Sequence, residues 1–101
     1  MDIIKGEITR MIKNNVFEVR IELLDARNSL TYAGKEKIFL NARNMELIKE
    51  MVIYGQIRGV VCTDVLCSVK KRKKNGHLDI DRLMVIRTLE FDKLISECLT
   101  R

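Results

Sequence analysis

Five consecutive cations, Lys70, Lys71, Arg72, Lys73 and Lys74, are the densest chemistry in the sequence. The chain carries 19 Lys and Arg against 14 Asp and Glu, a net charge of +5, so this run supplies the whole excess. A positive excess gathered into one segment builds a local field, and the partner that such a field selects is a polyanion. Lysines also keep an edge strand from pairing with another chain. Three cations would do that, and five point to phosphate contact. A protein that grips a single strand needs flat side chains as well, because unpaired bases stack on them. With three Phe, two Tyr and no Trp, the supply is small. Phe17 and Phe91 fall in the core phase of their segments, which leaves Tyr32, Phe39 and Tyr54 as stacking candidates. Phe39 leads, since Ile38 and Leu40 claim the opposite face of their strand.

Other chemistries find less support. Cys62, Cys67, Cys98 and His77 are zinc-ligand types, but their spacing is not that of a structural site. Cys62 and Cys67 sit five apart on an expected strand, where odd spacing sends them to opposite faces. They read as small buried hydrophobes, with no metal and no cofactor expected. A single His beside a hairpin Gly offers no base near a nucleophile, and Asp79 with Asp81 reads as a charged outer strand face, so no enzyme is expected. Neither a membrane span nor a secretory signal can be placed, because the apolar stretches are only a few residues long. Three cysteines without an export signal imply reduced thiols and a cytoplasmic protein.

At 101 residues the chain is sized for one domain, 1–101. Residues 2–12 alternate, with Ile4, Ile8 and Ile12 on one face. After Lys13, Asn14 and Asn15, Phe17, Val19, Ile21 and Leu23 alternate with Glu18, Arg20 and Glu22, and the two strands make a hairpin. Residues 25–37 lose their period and form a long loop with Tyr32 near its tip. A short third strand, 38–40, precedes a helix at about 44–52, capped by Asn41 or Asn44 and striped by Met45, Ile48 and Val52. A long fourth strand begins near Gly55, with Ile57, Val61 and Val65 on one face. Asn75-Gly76 signals a type I′ turn at the tip of a basic hairpin arm, about 66–80. In the fifth strand Leu83, Val85 and Leu89 alternate with Met84 and Ile86, so its second half reads as buried on both sides. Phe91, Leu94, Ile95, Cys98 and Leu99 trace a C-terminal helix, about 91–100. That helix either caps the barrel or forms a dimer surface.

This order predicts an all-β domain with one or two short helices, a five-stranded OB-fold barrel with a helix between strands three and four. Such barrels bind oligonucleotides on strands two and three, where Arg20 and Lys37 would flank Phe39. The stretch Ile53-Tyr54-Gly55-Gln56-Ile57-Arg58, a short helix before it and a Lys-rich hairpin closing at Lys74-Asn75-Gly76 resemble the bacterial and phage single-stranded DNA-binding proteins and related primosomal OB proteins. The resemblance covers roughly residues 38–90, while the first 37 residues match only in strand pattern. It implies an arm, Lys70 to Lys74, that tracks the nucleic-acid backbone, and an Arg58 pointing from the barrel face. It also implies a role in DNA replication, recombination or mobile-element DNA processing. The chain departs from the family in lacking Trp and in ending SECLTR rather than in an acidic tail, which makes it a binding-only relative.

The sequence therefore predicts a cytoplasmic protein that binds single-stranded DNA with little sequence preference, as a homo-oligomer presenting several sites to one polymer. Two alternatives stand beside it. One is an RNA-binding OB domain, since both polymers offer phosphates and π-faces. The other is a protein-interaction module whose basic hairpin docks on an acidic partner.

Overall fold

The computed structural model describes residues 1–27, 30–49 and 63–86. The elements run β1 (Asp2–Lys13), β2 (Val16–Asp25), β3 (Lys35–Leu40), α1 (Ala42–Leu47), β4 (Thr63–Arg72) and β5 (Leu78–Ile86). All five strands belong to one sheet in the order β1-β2-β3-β5-β4, and β4 pairs back onto β1, so the sheet closes in a ring. Closure removes the open edges that would otherwise recruit other chains. The β3–β5 pairing is parallel, with Ile38 opposite Leu78 and Leu40 opposite Ile80, while the other pairings are antiparallel.

Strand alternation fills the ring. Ile4, Ile8, Phe17, Val19, Ile38, Leu40, Val65, Cys67, Val69, Leu78, Ile80 and Leu83 point inward and are buried, joined by Ile48. Register shifts correct the expected phase, because one inserted residue turns every following side chain to the other face. Between Lys5 and Gly6 the register skips Glu22, which puts Leu23 opposite Lys5 and leaves it 64% exposed. Between Ile8 and Arg10 a second shift brings Met11, rather than Ile12, opposite Phe17 and against the core. Around Lys70 a third shift pairs Lys71 with Asp79 and Arg72 with Leu78. The shift leaves Lys70 and Lys71 exposed and sets Arg72 on the Leu78 side. At the first of these bulges the chains approach closely: a β-carbon on Gly6 would lie 2.5 Å from the Arg20 carbonyl oxygen.

The two hairpin turns differ. Asn15 adopts a left-handed φ of 66°. Its carbonyl accepts from the Leu40 N–H (2.8 Å) and its side-chain amide donates to the Leu40 carbonyl (2.7 Å), which ties the first turn to the end of β3. The second turn is not type I′, since of its two residues only Gly76 has a positive φ, 89°. Lys74 and Asn75 form a tight turn closed by Gly76 N–H to the Lys73 carbonyl (2.9 Å), and Gly76 follows as a bulge spanned by Lys73 N–H to the His77 carbonyl (2.8 Å). The left-handed position falls on Gly, where it costs least.

α1 starts earlier than its apolar stripe suggests, because Asn41 Oδ1 accepts from the Asn44 N–H at 2.9 Å and caps it. Ile48 seals against the core and Met45 packs beside it. Asn44 is buried and reaches the Asp81 carbonyl at 3.2 Å, which fastens the helix to β5. β3 extends back to Lys35, three residues beyond the expected strand. In β5, Leu83 is buried and Val85 packs on the core, but Met84 is 56% exposed, so the second half is not buried on both sides. Val52, the start of the expected fourth strand and the C-terminal helix lie outside the described residues. Among those residues no helix is long and apolar enough to cross a membrane.

Candidate nucleic-acid interface

The basic hairpin is anchored at its base by a polar seam. The Asp2 carboxylate is fully buried; it accepts from Tyr32 Oη at 2.6 Å and from the Arg27 N–H at 2.8 Å. These contacts draw the loop between β2 and β3 across the end of β1, so Tyr32 packs against the core rather than standing at a loop tip. Burial first, and then the Asp2 carboxylate, push the Tyr32 hydroxyl well above its ordinary range, which keeps it a proton donor. Arg72 continues the seam. Its guanidinium holds both Glu36 carboxylate oxygens at 3.0 and 3.2 Å and the carbonyls of Gly76 and Thr31, each at 2.7 Å, and lies 5.9 Å from the Tyr32 ring centre. Glu36 Oε2 also accepts from the Ala33 N–H at 2.7 Å. Burial would raise the Glu36 carboxyl, but the Arg72 hydrogen bonds, the Ala33 N–H and the Arg72 charge outweigh it and hold it below the ordinary carboxylate range. With its donors spread over four acceptors, Arg72 fastens the arm to β3 and the loop.

One residue further on, the chemistry opens to solvent. Phe39 faces outward from β3, as Ile38 and Leu40 are fully buried, and Lys73 Nζ stands 3.7 Å above its ring centre. The register continues across the sheet from Phe39 to Asp79 to Lys71. Lys70, Lys71 and Lys74 are exposed, and residues Lys71 to Asn75 line an open hollow of about 460 Å³. A second open depression of about 270 Å³ lies between the turn and β3, lined by Glu18, Lys35, Glu36, Lys37, Asn75, Gly76 and His77. His77 lies below its ordinary pKa, first through desolvation and then through the charges of Lys13, Lys37 and Lys73. Those four groups therefore share one corner, where the first and last hairpin turns meet the end of β3.

The carboxylates around this corner are already engaged. Glu18 accepts from Thr9 Oγ1 at 2.9 Å and pairs with Arg10 at 3.2 Å; the Thr9 hydrogen bond first, and then Arg10, hold its carboxyl low. Among the described residues, the ion pairs leave out Lys13, Lys35, Lys37 and every lysine of the basic run.

Of the expected site residues, Phe39, Lys37 and Lys73 come together, with Lys70, Lys71 and Lys74 on the arm beside them. Arg20 lies further along β2, 52% exposed and flanked by Glu7 (3.5 Å) and Glu22 (3.7 Å). Tyr32 and Arg72 belong to the seam. Arg58 and Tyr54 lie outside the described residues. Lys13, Lys35 and His77 join the corner although strand phase and charge density single out none of them for nucleic acid; the ring order, which sets the two turns on one side, is the signal that would have found them. Cys67 is buried, and burial pushes its thiol up to about 12, so it is an inert core residue. No protein-family model, curated protein or solved structure matches the chain.

Proposed function

We propose that the chain is an OB-type barrel that binds single-stranded DNA with little sequence preference. The ring order, the parallel β3–β5 closure and a helix directly after β3 support the fold reading. The observation that carries the function is an outward aromatic ring on β3 with a lysine held over it, inside a cluster of cations that have no described carboxylate partner. Magnitudes favour exchange at that ring. A cation over an exposed aromatic face contributes about 0.5–1 kcal/mol, whereas a stacked base contributes about 1–3 kcal/mol. A base arriving on Phe39 therefore displaces Lys73, and the ammonium moves to the adjoining phosphate, a stronger partner. Stacking and phosphate contact discriminate little between bases, hence the weak sequence preference.

The test is fluorescence anisotropy of a dye-labelled oligo-dT at several salt concentrations, beside duplex and RNA controls. Single-stranded DNA should bind best, with log K falling against log salt at a slope near −3, about what four contacts predict at −0.7 each. Stronger RNA binding moves the function to RNA. Weak binding that does not grow with oligomer length points instead to an acidic protein partner for the arm.

A further inference from the structure

We propose that the depression between β3 and the β4–β5 turn is a subsite for a single phosphate group, with His77, Lys35 and Lys37 as its cationic wall. The inference rests on the nucleic-acid reading above and deepens it, because it names which part of the strand enters and adds a proton to the binding event. The depression lies beside the basic run, and one turn supplies three of its lining residues, Asn75, Gly76 and His77. Gly76, one of the lining residues, adds no bulk there, and a β-carbon on it would meet nothing within 4 Å. At about 270 Å³ the space holds a phosphate with some of its water, a water occupying about 30 Å³.

The groups facing His77 are Lys13 from β1, Lys37 and Lys35 from β3, Lys73 from the turn, and the carboxylates Glu18 and Glu36. Both carboxylates serve other donors, Glu18 accepting from Thr9 and Arg10 and Glu36 from Arg72 and Ala33, and Glu18 also feels the Lys35 charge. What remains is a surplus of positive charge from Lys13, Lys37 and Lys73 that, second to desolvation, lowers the His77 pKa in the empty site. A phosphate cancels that surplus. His77 then takes a proton from solvent and donates a charge-assisted hydrogen bond to the phosphate oxygen. The sign follows from linkage: the bound form holds the extra proton, so affinity rises as pH falls through the interval between the empty-site and occupied-site midpoints.

His77 is the sole histidine in the chain, so its imidazole signals are unambiguous in an NMR pH titration. The titration is run in chloride, in inorganic phosphate and in inorganic sulfate at matched ionic strength, sulfate keeping its charge across the range. Phosphate and sulfate should both raise the His77 midpoint, and Lys37→Ala should raise the midpoint of the empty site while shrinking the anion-induced rise. Thymine does not titrate here, so oligo-dT affinity measured from about pH 7.5 to 5.5 should strengthen about threefold or more, the equivalent of half a pKa unit, and His77→Gln should abolish that gain. Oligo-dT with a 5′-hydroxyl and with a 5′-phosphate separates the sources. Equal binding assigns the subsite to the backbone, and tighter binding of the phosphorylated end assigns it to a strand terminus. If oligo-dT binds but no anion moves the His77 midpoint, the subsite is wrong and the proposed function stands. If oligo-dT fails to bind while inorganic phosphate still moves His77, the function is wrong and the subsite stands.

Discussion

Arg72 and Lys73 are neighbours in the chain, yet the first is wired into the protein and the second faces out of it. Arg72 spends its guanidinium on Glu36, Thr31 and Gly76, whereas Lys73 rests on the Phe39 ring with no carboxylate among the described residues. The bulge at Lys70 makes the difference, since it places Arg72 opposite the inward Leu78. A run of five cations is thus not five equivalent phosphate contacts. One fixes the arm, and the others stand on the surface that it fixes. The division also follows chemistry: guanidinium offers a planar fork that suits a carboxylate and two carbonyls at once, while an ammonium is a point charge that changes partners readily.

The largest effect should come from cutting the fastener. Arg72→Ala leaves the Glu36 carboxylate, 9% exposed, without its cation. Breaking a buried pair from one side costs about 3–5 kcal/mol and an exposed one under about 1, so about 2–3 kcal/mol fits this half-buried case. In a domain of this size that lowers Tm by roughly 10–20 °C. Arg72→Lys should recover only a part, having no fork. The comparison breaks if Arg72→Ala leaves Tm unchanged and instead lowers the salt slope of oligo-dT binding, for Arg72 would then be a phosphate contact after all.

Phe39→Ala should do the reverse. Loss of the platform should weaken oligo-dT binding by about 1–3 kcal/mol, the stacking value, with a salt slope close to that of the wild type. Anisotropy at fixed salt reads the first and a salt series the second. A smaller effect is expected from the triple substitution Lys70→Ala, Lys71→Ala and Lys74→Ala. It should flatten the salt slope by about 2, at −0.7 for each contact, and leave Tm within about 0.5 kcal/mol equivalent, as for most surface changes.

The strands were legible in the sequence because inward residues recur every second position, and Ile4, Ile8, Phe17, Val19, Ile38 and Leu40 kept that phase. Leu23, Ile12 and Arg72 did not, each standing beyond a bulge. A bulge is set by what the partner strand offers, such as the close approach at Gly6, and local alternation carries no trace of it. Phe39, Lys37 and Lys73 were readable from strand phase and charge. Lys13 and His77 were not, since only the closure of the ring brings the first turn to the last. Tyr32 reads from the sequence as a loop-tip aromatic because its partner, Asp2, lies thirty positions away.

The smallest effect, and the finest division between seam and face, lies in acid. Glu36 and Glu18 are both held below the ordinary carboxylate value of 4.5 in the folded protein, Glu36 by Arg72 and Ala33 against its burial, Glu18 by Thr9 and Arg10. A depressed folded-state pKa means that the unfolded chain binds the proton first. The stabilisation is complete above the unfolded value and drains away as pH falls below about 4.5 toward the folded midpoint. Glu36 sits in the seam with 9% of its side chain exposed, and Glu18 sits on the face with 18% and an Arg10 that is 65% exposed, so solvent screens the second pair more. Urea unfolding at about pH 6, 4.5 and 3 should therefore show Glu36→Gln flattening the pH dependence more than Glu18→Gln does. Added salt should erase the Glu18 contribution before that of Glu36, because a pair open to water feels the ionic atmosphere that a covered pair does not. Equal flattening by the two variants would mean that Arg72 is no better sheltered than Arg10, and the division of the basic run into a fastener and a binding surface would lose its physical ground.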